Sequence, residues 1–212
     1  MKILFATALL LGLAQAGHAQ TAIKAGTIQL GGNVGYFRTS QERPAFSTGN
    51  IPFKSTYTQS QFSIAPSVGF FVIDNLALGI SASYQANNQN DTQYSERTNQ
   101  FQIGAFAQYY QMVTDQFGFT GTLGAGYQNA RFPNSGDERA NGFYAGLTPG
   151  LVFFPITKLA IGASIGGLNY SSLTTKLTGF NNGGPNDYKS SAFGANFGLS
   201  QLLISGTYYF GR

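Results

Sequence analysis

Residues 62–84 read FSIAPSVGFFVIDNLALGISASY, and their alternation decides the fold. Phe62, Ile64, Pro66, Val68, Phe70 and Val72 share one parity, as do Leu76, Leu78, Ile80, Ala82 and Tyr84; the positions between them are mostly Ser, Gly and Ala. Successive strand side chains point to opposite faces, so this period of two predicts a hairpin with one apolar face and one small, uncharged face. Keeping the apolar face on one side requires an odd number of residues between Val72 and Leu76. The turn is therefore assigned to Ile73-Asp74-Asn75, where Asn75 tolerates the left-handed conformation such turns use.

The pattern recurs along the chain. Thr27 to Phe37 alternates Ile28, Leu30, Val34 and Tyr36 against Gln29, Gly31, Asn33 and Gly35. Further strands carry Phe101 to Tyr109, Phe117 to Tyr127, Phe143 to Phe153 and Leu159 to Ile165. The last segment, Ala192 to Phe210, starts apolar on odd positions and ends apolar on even ones, which predicts a bulge near Ser200 to Leu203. Short turns are expected at 73–75, 114–116 and 156–158. Long polar loops are expected at 38–60, 86–99, 131–141 and 171–190. Pro66 to Ser81 aligns without gaps on Pro149 to Ser164, matching Pro66/Pro149, Phe70/Phe153, Phe71/Phe154, Ile73/Ile156, Leu76/Leu159, Ala77/Ala160, Gly79/Gly162 and Ser81/Ser164. The chain therefore repeats a hairpin unit, and the matched prolines, each lacking a ladder donor, predict paired bulges.

Alternation alone leaves open whether the apolar face points inward, as in a soluble lipid-carrying barrel, or outward into a bilayer. The opposite face decides, because a soluble barrel would place charge there, whereas here stand Gly, Ser, Ala, Thr, Gln and Asn. Charged residues are only 9% of the chain, so an outward apolar surface fits better than a hydrated one. The reading is an all-β, eight-stranded antiparallel up-and-down transmembrane β-barrel, its small residues filling the crowded interior. Aromatic residues gather at both strand ends, as at two membrane interfaces: Phe70, Phe71, Tyr109, Tyr110, Phe117, Phe119, Phe153, Phe154 and Tyr208 to Phe210 near the turns, with Tyr36, Phe37, Phe62, Tyr84, Phe101, Tyr127, Phe132, Phe143, Tyr170 and Phe193 near the loops. The expected lipid-facing and girdle residues are Phe70, Leu78, Tyr84, Phe117, Phe153, Ile161, Tyr208 and Phe210.

Met1-Lys2, the apolar run Ile3 to Leu13 and AQAGHAQ form a secretory signal pattern, with cleavage after Ala19 or, as the second choice, Ala16. The expected organisation is a signal peptide at 1–19 and one barrel domain at 20–212, exported to the cell outer membrane. The run is too short to span a bilayer as a helix. There is no Cys, hence no disulfide and no thiolate metal site.

These features carry a resemblance. The signal pattern, PSVGFFVIDNLALGISASY with its echo PGLVFFPITKLAIGASIGGLNYSS, and the closing FGANFGLSQLLISGTYYF resemble the small outer-membrane β-barrel proteins of Gram-negative bacteria with an outer membrane protein beta-barrel domain. These proteins are similar to the membrane domain of outer membrane protein A. The resemblance spans essentially the whole mature chain and implies insertion by the barrel-assembly machinery. Family members typically end on an aromatic residue, whereas here Phe210 is followed by Gly211-Arg212.

The sequence carries no recognisable catalytic constellation. The one His, His18, lies in the signal pattern, so the mature chain has no imidazole for a triad or a His-bearing zinc site. Asp137-Glu138 beside Arg139 reads as a solvated loop, the Asn181 to Asp187 loop lacks EF-hand spacing, and Gly121, Gly124 and Gly126 read as interior strand positions. No enzyme activity, cofactor or metal is expected. The basic residues are scattered between strands, which argues against nucleic acid. Two functions remain. A monomeric structural or surface-interaction barrel could meet a glycan or protein through loop residues such as Phe46, Phe53, Tyr57, Tyr94, Phe132 and Phe180; alternatively, a narrow porin-like channel could pass small solutes through the uncharged lumen.

Overall fold

The computed structural model describes residues 22–46, 52–91, 95–133, 138–176 and 187–212. The signal pattern, its cleavage site and the start of the barrel domain lie outside these residues. So do Asp137, Tyr94, Phe180 and positions 181–186 of the calcium candidate loop.

Among the described residues, eight strands follow one another: β1 (Ile28–Phe46), β2 (Pro52–Ile73), β3 (Leu76–Asn90), β4 (Ser95–Met112), β5 (Phe117–Phe132), β6 (Glu138–Ile156), β7 (Leu159–Lys176) and β8 (Asp187–Phe210). Each pairs antiparallel with its sequence neighbours, and β8 returns to β1, closing the barrel. Closure gives the sheet no long edge except at that last seam.

The expected faces are the observed ones. Phe62, Ile64, Val68, Phe70 and Val72 on β2 and Leu78, Ile80 and Tyr84 on β3 are exposed on the outside, while Phe71 and Ala77 are wholly buried inside. In a barrel this inverts the soluble rule, because the solvent outside is hydrocarbon.

Three expectations are corrected. The turn joining β2 and β3 is Asp74-Asn75, because Ile73 still pairs with Leu76. The required odd offset comes from a register shift between Phe71 and Ile73, and Asn75 takes the left-handed conformation at φ 64°. The turn between β6 and β7 is likewise Thr157-Lys158, with a shift between Phe153 and Ile156.

The polar stretches called loops from the sequence are mostly paired strand. Tyr57 pairs with Gln41, Asn90 with Ser95, Phe132 with Glu138 and Lys176 with Asp187, so the hairpins continue well past the aromatic belt. Their apolar alternation vanishes because neither face needs hydrocarbon there, while the ladder persists.

The prolines do not form paired bulges. Pro66 pairs with Gly32 in unbroken register, and the β2–β3 ladder only lapses at Ala65 and Pro66 without a shift. Near Pro149 the register does shift, and the extra residue lies on β7, where Gly166 has φ 102°. Opposite it, β8 steps from Phe197 to Leu202 between the partners of Gly166 and Ile165. This is the bulge expected from the parity change, broader and slightly earlier than the sequence placed it.

Candidate functional site

The inner side chains divide the barrel into a closed floor at the short-turn end and a cavity above it. Phe71, Ala77, Tyr110, Met112, Val152, Phe154, Ala160 and Tyr209 pack together there with Ile23 from the lead-in segment. Ring centroids lie 5.4 Å apart for Phe71 and Tyr110, 5.1 Å for Phe154 and Tyr209, and 6.4 Å for Tyr110 and Tyr209, the last edge to face. Such offset and edge contacts are the favoured aromatic geometries. Phe71, Tyr110, Phe154 and Tyr209, expected from the sequence among the interfacial aromatics, are instead buried inside the barrel. In each of the pairs Phe70-Phe71, Tyr109-Tyr110, Phe153-Phe154 and Tyr208-Tyr209 one ring faces out and the next faces in. The signal was present, since adjacent strand residues cannot share a face.

The floor repeats at matched positions of the internal repeat. Phe71 and Phe154 align, as do Ala77 and Ala160. The turn carbonyls of Asn75 and Lys158 also align, and they accept hydrogen bonds of 2.8 Å each from the backbone N–H groups of Tyr110 and Tyr209.

Buried hydroxyls need partners, and these have them. Tyr110 donates to Gln29 Oε1 at 2.8 Å, the Gln29 amide donates to Gln108 Oε1 at 3.0 Å, and Tyr209 donates to the Tyr110 hydroxyl oxygen at 3.0 Å. The assignment leaves each proton used once.

The lead-in segment before β1 and the residues after β8 cover the floor from below. Asn75 Oδ1 accepts from the Ile23 N–H at 2.8 Å, and Asp74 accepts from the Ala25 N–H and from Lys24 Nζ, both at 2.9 Å. The Lys24 and Ala25 donors hold the exposed Asp74 carboxyl below its ordinary range. Arg212 stacks its guanidinium 3.5 Å from the Phe154 ring centroid and donates to the Asp115 carbonyl at 3.2 Å. The residues past Phe210 thus fold back as a cation over the floor's ring.

Above the floor lies a cavity of about 560 Å³. Gln29, Gln102, Gln108 and Gln128 line it together with Ser, Thr, Asn and Gly, and no Asp, Glu, Lys, Arg or His is among its lining residues. Towards the loop end Gln102 donates to Gln128 at 3.2 Å, and Gln128 donates to Ser171 Oγ at 2.7 Å. Gly124 faces this interior, while Gly121 shares the outward parity of Phe119 and Leu123 opposite Pro149, contrary to the interior position expected for it.

One part of the wall is incomplete. β1 and β8 pair over five residues only, from Ile28↔Phe210 to Gly32↔Gly206. Beyond Gly32 the facing edges of β1 and β8 carry no ladder, although β1 is paired with β2 along its length and β8 is paired with β7 on both sides of residues 198–201. Val34 and Phe193 beside this seam are 70% and 72% exposed, and Phe37, whose parity turns it inward, is still 56% exposed. Asn33 and Ser67 on one side and Leu203 and Ser205 on the other also line the cavity, so the cavity extends to the seam.

Of the expected lipid-facing set, Phe70, Leu78, Tyr84, Phe153, Ile161, Tyr208 and Phe210 are exposed on the outer face, and Phe117 is half-buried beside Phe119. Tyr84 pairs across strands with Phe101, Tyr127 with Phe143 and Tyr170 with Phe193, forming a belt at the loop end. Glu138 opens β6 opposite Phe132.

A closed ring of eight strands with an apolar exterior and an amide-lined interior defines a membrane-spanning β-barrel, the one sheet that satisfies its backbone within lipid. More narrowly, the chain belongs to the outer membrane protein beta-barrel domain family, whose model matches residues 5–200. Among solved structures it is similar to the outer membrane protein OprG from Pseudomonas aeruginosa, at 13% identity over 89% of this chain and 98% of that one, with a TM-score of 0.49. It is also similar to Ail, the attachment invasion locus protein of Yersinia pestis, at 16% identity over 88% and 99%, with a TM-score of 0.38. No curated protein sequence matches it.

Proposed function

We propose that this protein is a monomeric, non-enzymatic outer-membrane barrel that acts through its four projecting hairpins on a surface glycan or protein, and that it does not conduct. The observation that carries this reading is the floor: Phe71, Tyr110, Phe154 and Tyr209 fill the turn end, with Ile23 and Arg212 closing over it. A porin-like path would have to pass through this packed layer, and an uncharged lumen offers no ion-selective ring. In this reading Phe70, Leu78, Tyr84, Phe117, Phe153, Ile161, Tyr208 and Phe210 contact outer-membrane lipid. The short turns face the periplasm, and the barrel-assembly machinery inserts the chain after removal of residues 1–19. The paired hairpin extensions hold the loop tips on stiff stems above the belt, which suits recognition better than a slack loop does.

The test is planar-bilayer conductance of the purified protein beside binding of protein-bearing vesicles to immobilised glycans. Silent bilayers, with glycan binding that disappears when 177–186 is replaced by a short Asn-Gly turn, are expected. Stable single-channel openings would overturn the reading in favour of the channel.

A further inference from the structure

The seam and the cavity belong to one feature. The cavity wall is continuous from the amides of Gln29 and Gln102 to Asn33 and Ser205, the first residues past the last β1–β8 pair. Continuing the ladder would place Asn33 opposite Ser205, since each observed pair sums to the same number as Ile28 and Phe210. Instead the strands part there, at the height of the outward Val34 and Ile204, where a bilayer's hydrocarbon would meet them.

β8 explains the parting. Gly198 to Gln201 are extra residues on β8 opposite the β7 step at Ile165–Gly166, and an insertion of this kind bends its strand away from the next neighbour. Leu199 at its tip is 84% exposed, and Leu202 and Ile204 face outward. The opening is thus apolar on its outer lip and polar behind. The unpaired backbone groups of both edges require polar partners inside a membrane, and hydrocarbon supplies none.

We propose that this opening is a lateral binding port for a neutral amphiphile, such as a monoacylglycerol. Its hydroxyl-rich head lies among the lumenal amides and hydroxyls, and its chain passes between β1 and β8 into the bilayer. Charge neutrality follows from the lining, because a charged head would be desolvated among groups that offer no counter-charge. Amphiphile shape follows from the route, since only a molecule with one apolar end suits the exposed Val34, Leu202 and Ile204 at the lip. The closed floor makes the cavity a terminus, so the port serves retention of a ligand. It stands independently of any role for the hairpin tips.

The chain has no cysteine, so an introduced pair is chemically unique. The experiment compares the wild type with Asn33→Cys/Ser205→Cys, crosslinked by a short bis-methanethiosulfonate that forms a disulfide with each thiol and releases methanesulfinate, in phosphatidylcholine vesicles carrying a diazirine-bearing monoacylglycerol. Photolabelled peptides are then mapped by mass spectrometry, and folding is verified by heat-modifiable migration. Labelling concentrated on the Gln29–Asn33 and Leu203–Thr207 stretches, reduced at least tenfold by the crosslink and absent with a diazirine-bearing phosphatidylglycerol, is expected. A second variant, Thr122→Trp, fills the cavity while leaving the seam untouched, and it should lose the same labelling. Labelling spread evenly over the outer face at Leu78 and Ile161, undiminished in the crosslinked protein or in Thr122→Trp, would overturn the proposal. Equal labelling by the anionic probe would overturn the assignment of a neutral head.

Discussion

The hydroxyls of Tyr110 and Tyr209 lie 3.0 Å apart, tying β4 to β8 across the floor of the barrel. The contact continues through Gln29 to β1, so three strands share one buried polar chain. Tyr110→Phe leaves both Gln29 Oε1 and the Tyr209 hydroxyl short of a partner, whereas Tyr209→Phe removes one donor only. Tyr110→Phe should cost about 1–3 kcal/mol and Tyr209→Phe about 1 kcal/mol. The double variant should cost less than their sum, read from the urea midpoint of heat-modifiable migration.

Removing the rings asks more of the floor. Phe71→Ala with Phe154→Ala deletes two wholly buried rings at matched positions. Each truncation should cost roughly 3–5 kcal/mol. The surviving folded protein should show planar-bilayer openings that the wild type lacks; continued silence would locate the closure elsewhere.

The outer and inner faces respond differently to charge. Leu78→Arg or Ile161→Arg should cost roughly 2–4 kcal/mol on the outer face. Ser81→Arg and Ser164→Arg place the guanidinium in the amide-lined cavity and should follow a different pattern, shifting with ionic strength. Equal effects at the two faces, measured by urea titration in vesicles, would contradict the assigned orientation.

The lead-in segment is held by a carboxylate. Because Asp74 is held below its ordinary value of 3.8 by Lys24 and Ala25, its contribution is complete above that value and is lost as pH falls through the lower folded one. The Ala25 amide should therefore keep its hydrogen-exchange protection, taken against the intrinsic rate at each pH, at neutral pH and lose it only below the ordinary carboxyl range. Asp74→Ala should lack that protection at all pH values.

Glycine positions divide by backbone. Gly166, at φ 102°, sits at the step in β7, and a side chain there would meet the Asn196 carbonyl. Gly166→Ala should cost about 1–3 kcal/mol. At Gly121 nothing lies within 4 Å of an added Cβ, so Gly121→Ala should be neutral or slightly stabilising. Thermal loss of the fast-migrating band separates the two.

The barrel, its strand order and its outward face were legible because a bilayer forces a strict alternation onto every strand it touches. The hairpin extensions were illegible for the converse reason: Tyr57 and Gln41 pair as regularly as Phe70 and Ile28, yet no face there is selected by lipid. The floor was half legible. Parity alone turns Phe71 and Tyr110 inward, but composition classed them with their outward neighbours, and their meeting requires β2 and β4 to be placed on one ring. The seam was hidden, since which backbone groups go unpaired is a property of the closed ring.

Each half of the repeated chain contributes to the floor one Phe, one Ala, one turn carbonyl and one Tyr held by that carbonyl, in the same relative places. In symmetry terms the floor is built twice over, once by β1–β4 and once by β5–β8. The contacts that join the halves are not doubled: the Tyr110–Tyr209 hydroxyl bond and the Arg212 cation over Phe154 each occur once. The junctions between the halves are unequal as well: β4 and β5 pair over fourteen residues and β1 and β8 over five, so the ring is held least where its first and last strands meet.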